Sequence, residues 1–287
     1  MKNKLDTKAC VLFINGQSNA TAHQQFLSEE DRVYEPMKNV FSLDRNPNQS
    51  FDNTDVVWSG WTSMGKNLGE TQDHTASLAY FIAKKWQAAI DAGKELPDLY
   101  IVQISFGSQG IINGFWNRDK ELIMKPGKLG EGDIALLPLA LHTNQLVMEN
   151  LTKAGKNPKV IGWHWLGCEQ EIWYEAFLRD DFQERYDYHF DKMIASMGGD
   201  VPTYLYQTVL KGACERFDLP LEAEDCINAE LDRQAKRLGA TMNDVRKTPF
   251  WDESNTLTYG VLASDRAHSL PFVHECFADK FLEDVWS

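Results

Sequence analysis

Three side chains of the types that a serine-type catalytic centre needs occur in two widely separated segments of the chain. Ser18 follows the apolar run Val11–Ile14 within VLFINGQSNA, and Asp265 and His268 lie near the C-terminus in SDRAH. A serine hydroxyl is a weak nucleophile until a base takes its proton, and a histidine base needs a third group to fix its tautomer. At a spacing of three, the Asp265 carboxylate can reach Nδ1 of His268 and leave Nε2 facing Ser18. We therefore predict a Ser18–His268–Asp265 triad.

Two further segments carry groups that such a centre needs. Gly107 and Ser108 follow the apolar run LYIVQI, and backbone N–H groups of a glycine-containing loop can approach and stabilise an oxyanion. Glu169 follows the apolar run VIGWHW, where it is placed either to orient a loop or the histidine, or to be a solvated charge.

Each of these segments also has an ordinary structural interpretation. A serine after a strand is a common helix N-cap, and an Asp-x-x-His pair before a helix can be a capping arrangement. Gly107 and Gly110 are equally compatible with simple turns. The catalytic interpretation is favoured because all the pieces occur together, each next to a predicted element.

The elements that must position these residues alternate along the chain. Short apolar runs bounded by polar or turn residues predict buried strands at Cys10–Ile14, Leu99–Ile104, Val160–Trp165 and Thr203–Val209. Apolar residues at spacings of three and four predict amphipathic helices. These include Leu78, Ile82, Trp86 and Ala89, with Thr75 as cap and Gly93 as end; Phe182, Tyr186, Met193 and Met197; Ile227, Leu231 and Leu238 before Gly239; and Phe277, Phe281 and Val285 after Pro271.

Strands that alternate with helices imply parallel pairing, so we predict an α/β protein with a three-layer α/β/α sandwich and a mainly parallel central sheet. Ligands in such folds collect at the carboxyl ends of the strands, where the polar segments above fall. No linker or repeat divides residues 1–287, which predicts a single domain. Residues 26–74 and 113–135 are rich in Asn, Asp, Gly and Trp, and we predict that they are long surface loops with a functional role.

Composition limits the partners. With 42 acidic and 29 basic residues the formal charge is −13, which disfavours nucleic acid and anionic membrane surfaces. No signal peptide is visible, so the chain as written is expected to be cytoplasmic, although a secreted protein with its leader removed reads the same way. Five scattered cysteines without CxxC spacing predict free thiols rather than disulfides or a zinc cluster.

The motifs resemble those of the SGNH/GDSL hydrolase superfamily, and within it the sialate O-acetylesterase-like and acetylxylan esterase branch, carbohydrate esterase family 6. Members of that branch open on a strand followed by GQSN, which stands here as Gly16–Asn19. Their S-x-G-G-T-x-I block is similar to Ser105–Ile111 with Trp116 beyond it, and their D-x-x-H block is matched by Asp265 and His268.

This resemblance implies a flavodoxin-like sandwich that hydrolyses esters without a metal or organic cofactor, most often by removing acetyl from a sugar hydroxyl. It implies that Ser18 is the nucleophile and that Gly107 offers an oxyanion N–H. Gln17, Ser108, Gln109, Trp116 and Glu169 are the further candidates for binding the oxyanion or the substrate. The expected partner is a small-molecule or oligosaccharide ester.

One block departs from the family pattern W-x-Q-G-E-x-D. Here Gly167 replaces the Gln whose amide would help bind oxyanion or substrate, and Cys168 replaces the Gly. The departure motivates an alternative, in which the chain is a catalytically weakened relative that binds a glycan or acylated ligand without turnover. A third hypothesis uses Cys168 as a nucleophile with His164, but those side chains lie far apart along a strand.

Several tryptophans fall in segments that are candidates for the rim of a site. Trp58, Trp61, Trp116 and Trp173 are placed to stack on sugar rings, although ordinary packing explains a tryptophan equally well. We expect one or two of them at the pocket.

Overall fold

The computed structural model describes residues 5–21, 28, 37–43, 61–63, 77–121 and 135–287, with the backbone alone at 43, 61–63 and 174. Seven strands form one sheet in the order β3-β2-β4-β1-β5-β6-β7. The strands are β1 Ala9–Gly16, β2 Val40–Leu43, β3 Trp61–Ser63, β4 Asp98–Ser105, β5 Pro158–Leu166, β6 Thr203–Tyr206 and β7 Thr241–Asn243. Strand β3 runs antiparallel to β2, and the other six strands are mutually parallel.

Strand β1 lies at the centre of the sheet, and this position accounts for its apolar sequence. All eight of its residues are buried. Val11 and Phe13 point into one apolar layer, and Leu12 and Ile14 into the other. An unbroken apolar run is typical of a parallel strand that is covered on both faces.

The helices cover both faces of the sheet. They are α1 Ser18–Thr21, α2 Leu78–Asp91, α3 Leu136–Lys153, α4 Phe182–Ser196, α5 Lys211–Phe217, α6 Glu222–Leu238 and α7 Pro271–Trp286. Helices α3, α4 and α6 contribute buried residues to the layer of Val11 and Phe13. Helices α2 and α7 contribute to the layer of Leu12 and Ile14. The predicted three-layer α/β fold with a mainly parallel sheet is confirmed.

The four predicted strands are present, with small differences at their ends. β6 stops at Tyr206, three residues earlier than the sequence pattern predicts. The four predicted helices are present as α2, α4, α6 and α7. Ser77, rather than Thr75, caps α2, because its side-chain oxygen accepts from the N–H of Ala79 at 3.2 Å.

The interval 26–74 is not loop throughout. Strand β2 (Val40–Leu43) pairs in parallel with β4, and β3 (Trp61–Ser63) pairs antiparallel with β2. This part of the interval therefore extends the sheet. Four residues suffice for β2 because the edge of β4 supplies its hydrogen-bond partners. The rest of the interval, apart from the described residues 28 and 37–39, lies outside the described residues, as do 122–134 of the second predicted loop.

Other global features can be stated for the described part of the chain. None of its helices combines the length and apolarity that a membrane crossing requires. The same residues hold no cluster of His, Cys, Asp or Glu side chains with metal-binding geometry. All five cysteine thiols are free, with Cys10, Cys168 and Cys214 buried.

Candidate active site

Ser18 stands at the first residue of α1, directly beyond the end of β1. Gly16 makes this abrupt turn possible, because its φ is +141° and a Cβ atom there would lie 1.9 Å from the carbonyl oxygen of Leu166. The N–H of Gln17 donates to that same oxygen at 2.9 Å. The nucleophile candidate is therefore fixed at the carboxyl edge of the sheet, and it is partly exposed.

Asp265 and His268 lie on a tight turn that precedes α7. The N–H of Ala263 donates to the carbonyl of His268 at 2.7 Å and closes the turn, while Arg266 takes a left-handed φ of 64° at its tip. One carboxylate oxygen of Asp265 accepts from the N–H groups of Ala267 and His268 at 3.0 and 3.1 Å. The other accepts from Nδ1 of His268. The three-residue spacing thus gives the carboxylate–imidazole contact that it predicts.

The charge state of Asp265 suits this contact. Burial by itself raises its pKa, but the hydrogen bonds from the His268 ring and the Ala267 N–H more than offset burial and hold the pKa well below its usual range. The carboxyl group is therefore ionised at neutral pH. An ionised carboxylate can only accept, so Nδ1 of His268 carries the proton.

Ser18, Asp265 and His268 line one open cavity of about 320 Å³. Its polar side also contains Gln17, Ser108, Glu169 and Gln170. The rest of the lining is mainly apolar, with Ile172, Trp173, Leu210, Ala213 and Phe217, and includes Arg216, whose Nη1 lies 3.4 Å from the carbonyl oxygen of Asp265. The rings of Trp173 and Phe217 lie 5.3 Å apart, and Trp173 is a rim candidate that lines the cavity. Trp58 and the side chain of Trp61 lie outside the described residues.

Among the described histidines, His268 is the one that lines this cavity. His164, His189 and His274 are fully buried, and burial lowers the pKa of each to about 3. Those three imidazoles are neutral at ordinary pH and none lines the cavity. His268 is partly exposed and faces the same space as the Ser18 hydroxyl.

The loop after β4 approaches the cavity through Ser108. The N–H groups of Ser18, Gly107 and Ser108 meet no acceptor among the residues that the structure describes, so they remain available to a bound oxyanion. Glu171 anchors the far end of this loop, with its Oε1 accepting from the N–H groups of Ile111 and Ile112 at 2.5 and 3.2 Å. Burial raises the pKa of Glu171 to about 7.

Three of the sequence candidates do not line the cavity. Gly107 lies beside it, one residue before Ser108. Gln109 turns its side-chain oxygen to the N–H of Phe115 at 2.9 Å and so braces the loop. Trp116 is fully buried, and its Nε1 donates to the carbonyl of Gly16 at 3.0 Å. The expectation that Trp116 stacks on a substrate is corrected, because its indole supports the nucleophile turn from within the core.

The departure from the family block has a clear structural form. Cys168 takes a φ of +100°, a conformation that favours the glycine of the family pattern. Its sulfur is buried and accepts from Nε1 of Trp165 at 3.3 Å. Gly167 packs against the Trp165 ring, so a Gln side chain there would need that ring to shift.

Cys168 and His164 lie in different layers of the protein. Cys168 belongs to the layer of Val11 and Phe13, whereas His164 bonds to the Tyr206 hydroxyl at 2.6 Å on the opposite side of the sheet. Burial also raises the pKa of the Cys168 thiol far above its usual range. The thiol–imidazole pair is therefore absent.

The sequence patterns did not single out Asn19, Glu171 or Arg216. Asn19 donates to Glu169 and accepts from the N–H of Ser269, contacts that span 150 and 250 positions of sequence. Within GQSN the Asn was visible as a motif letter, but no local pattern signals such distant partners. Arg216 lies on the exposed side of helix α5, and no motif or periodic pattern points to it.

Comparison with known proteins identifies relatives of the fold. No protein-family model matches the chain, and no curated protein sequence matches it. Three solved structures superpose over nearly the whole chain. NanS has a TM-score of 0.65 at 16% identity, covering 98% of this chain and 97% of its own. A protein from Arabidopsis thaliana has a TM-score of 0.58 at 12% identity, covering 97% and 99%. A putative GDSL-like lipase from Parabacteroides merdae has a TM-score of 0.52 at 10% identity, covering 99% of both chains.

At these identities the similarity shows the fold alone. The class that it defines is the three-layer α/β sandwich, which is the fold of a protein described as a GDSL-like lipase.

Proposed function

We propose that the protein is a serine ester hydrolase of the SGNH/GDSL type, which removes an acetyl or similarly small acyl group from a carbohydrate hydroxyl. The observation that carries the proposal is the convergence of Ser18, His268 and Asp265 on one cavity from opposite ends of the chain. A carboxylate bonded to Nδ1 leaves Nε2 to act as the base.

The reaction follows from this arrangement. Nε2 of His268 takes the proton of the Ser18 hydroxyl as the oxygen attacks the ester carbonyl, and the resulting oxyanion lies against the N–H groups of Ser18 and Gly107. The tetrahedral intermediate collapses as His268 returns the proton to the leaving alcohol, which gives an acyl-Ser18 ester. A water molecule, deprotonated by His268, then releases the carboxylic acid and restores the serine.

The substrate class rests on the apolar part of the cavity lining. The ring of Trp173 is partly exposed there and lies against Phe217, and an aromatic face of this kind suits the apolar face of a sugar. We expect Trp173→Ala to raise KM for an acetylated sugar about fivefold, which corresponds to about 1 kcal/mol. The same change should leave KM for p-nitrophenyl acetate within about twofold.

The direct test compares wild type with Ser18→Ala on p-nitrophenyl acetate and on acetylated oligosaccharides. Serine-dependent hydrolysis, with kcat lowered at least about 10³-fold in the variant, supports the proposal. Equal rates for the two proteins would refute it.

A second candidate function is binding without turnover, and Gly167 is the observation that favours it. The Gln amide expected at position 167 is absent from this chain, and loss of one oxyanion donor typically costs about 2.7–4 kcal/mol of transition-state stabilisation. Calorimetric binding of acetylated oligosaccharides by a protein that hydrolyses no ester would establish this alternative.

A further inference from the structure

Asn19 joins the turn that carries Ser18 to the segment that carries His268. Its side-chain oxygen accepts from the N–H of Ser269 at 3.0 Å, and its Nδ2 lies 3.4 Å from the carbonyl oxygen of Ala267. Ala267 and Ser269 are the two neighbours of His268 in the chain. A single side chain next to the nucleophile candidate therefore holds the backbone on both sides of the histidine.

Glu169 fixes which way the Asn19 amide faces. Its Oε1 accepts from Nδ2 of Asn19 at 2.7 Å. The opposite amide orientation would set an oxygen against the carboxylate and an NH₂ group against the N–H of Ser269, so only one orientation satisfies both neighbours. Asn19 is 8% exposed, which makes an unsatisfied contact there costly.

This contact does something that the Asp265 contact cannot do. Asp265 lies in the same turn as His268, so it orients the imidazole within the turn and moves with it. The distance between that turn and Ser18 depends on bonds that cross from one segment to the other. Asn19 makes such bonds from the position immediately after Ser18.

We propose that Asn19, held by Glu169, is a positioning residue that sets the separation of the Ser18 hydroxyl from the His268 ring. The inference rests on the proposed function, since it takes these two residues as nucleophile and base. The inference goes beyond the proposed function by naming the side chains that hold the nucleophile and the base at a fixed separation. Misplacement of a reacting group by about 1 Å can cost about 100-fold in rate, so a change in this separation should lower kcat. We call the contacts of Asn19 with Glu169, Ala267 and Ser269 the Asn19 clamp.

Asn19→Asp is the sharpest perturbation. It keeps the shape of the side chain and the acceptor for Ser269, but it places a carboxylate oxygen against Oε1 of Glu169. We expect kcat for p-nitrophenyl acetate to fall about 10- to 100-fold while KM changes less than about threefold. Thermal unfolding and circular dichroism establish that the variant is folded.

The matched control is the double variant Asn19→Asp with Glu169→Gln, in which the new amide at position 169 donates to the new carboxylate at position 19. This exchange restores a donor–acceptor pair between positions 19 and 169 but leaves the carbonyl of Ala267 without its donor, so kcat should recover at least about threefold relative to Asn19→Asp without reaching the wild-type value. Glu169→Gln alone should lower kcat less than Asn19→Asp does, because the Gln oxygen can still accept from Asn19. A residue that only stabilised the fold would not show a kcat effect partly reversed by this exchange.

The outcomes distinguish failure of the proposed positioning role of Asn19 from failure of the proposed esterase function. Suppose that Ser18→Ala abolishes hydrolysis but Asn19→Asp leaves kcat unchanged, or that the double variant has no higher kcat than Asn19→Asp. Asn19 is then not a positioning residue, and the proposed esterase function is unaffected. If the wild-type protein hydrolyses no ester, both are overturned.

Discussion

Glu171 offers a prediction in which the structure gives both the sign and the size. Its carboxyl group is fully buried and accepts from the N–H groups of Ile111 and Ile112. Burial raises its pKa from 4.5 to about 7. The folded protein therefore holds this proton in a range of pH where the unfolded chain has lost it, so folding stability falls as pH rises from about 4.5 to about 7.

The magnitude follows from the size of the shift. One pKa unit corresponds to about 1.4 kcal/mol, so the full shift is worth about 3 kcal/mol, most of which is lost between pH 5 and pH 8. Glu171→Gln keeps an oxygen for Ile111 and Ile112 but cannot ionise. We expect the unfolding free energy of the variant, relative to wild type, to improve by about 2 to 3 kcal/mol from pH 5 to pH 8.

Urea denaturation of both proteins at a series of pH values measures this difference, and every other titrating group cancels in the comparison. Glu253→Gln, at an exposed position, is the control and should track wild type at each pH. Parallel pH dependence of Glu171→Gln and wild type would refute the reasoning, since it would mean that the Glu171 carboxyl is solvated or paired with a cation.

Three further expectations concern the residues around the site. Gly16→Ala should cost more than about 3 kcal/mol of stability or prevent folding, because the new Cβ would collide with the carbonyl of Leu166, and thermal unfolding measures it. Cys168 should resist alkylation in the native protein, while exposed Cys226 reacts and activity survives, as mass spectrometry of the labelled protein can show. Asp265→Asn should lower kcat about 10²–10⁴-fold, and its loss of stability relative to wild type should be fully present above about pH 4 and shrink below it, since the pKa of Asp265 is depressed in the folded state.

Each of these has its own control or contrary result. Gly239→Ala introduces the same side chain at a φ of +63° with no atom within 4 Å, so it should cost only about 1–2 kcal/mol. Equal losses at the two glycines would contradict the role of Leu166. Rapid loss of activity on alkylation of Cys168, or a stability gap for Asp265→Asn that widens as pH falls below 4, would contradict the other two.

The features that sequence predicts well here are those set by local spacing or by burial on both faces of a strand. The apolar run Val11–Ile14 predicts a central parallel strand, and the structure has one. The spacing of Asp265 and His268 predicts their contact because three residues form a single turn. Ligands meet the carboxyl ends of parallel strands, and this rule predicts a candidate site just beyond β1, where Ser18 lies.

The features that sequence did not predict depend on partners far away in the chain. Glu171 reaches back 60 positions to Ile111, and Asn19 reaches forward 250 positions to Ser269. Neither pairing leaves a periodic signal. The burial of Trp116 was also not predictable, because the sequence around a tryptophan after a glycine-rich loop does not distinguish an indole at the rim of a site from one in the core.

Covalent labelling with a fluorophosphonate tests the central claim most directly, since an activated serine attacks phosphorus, expels fluoride and keeps the phosphonyl group. The account predicts one label per chain, located by mass spectrometry on Ser18, and its loss in His268→Ala with the fold intact. A label on another residue, or labelling of Ser18 that proceeds equally fast without the His268 imidazole, would contradict it.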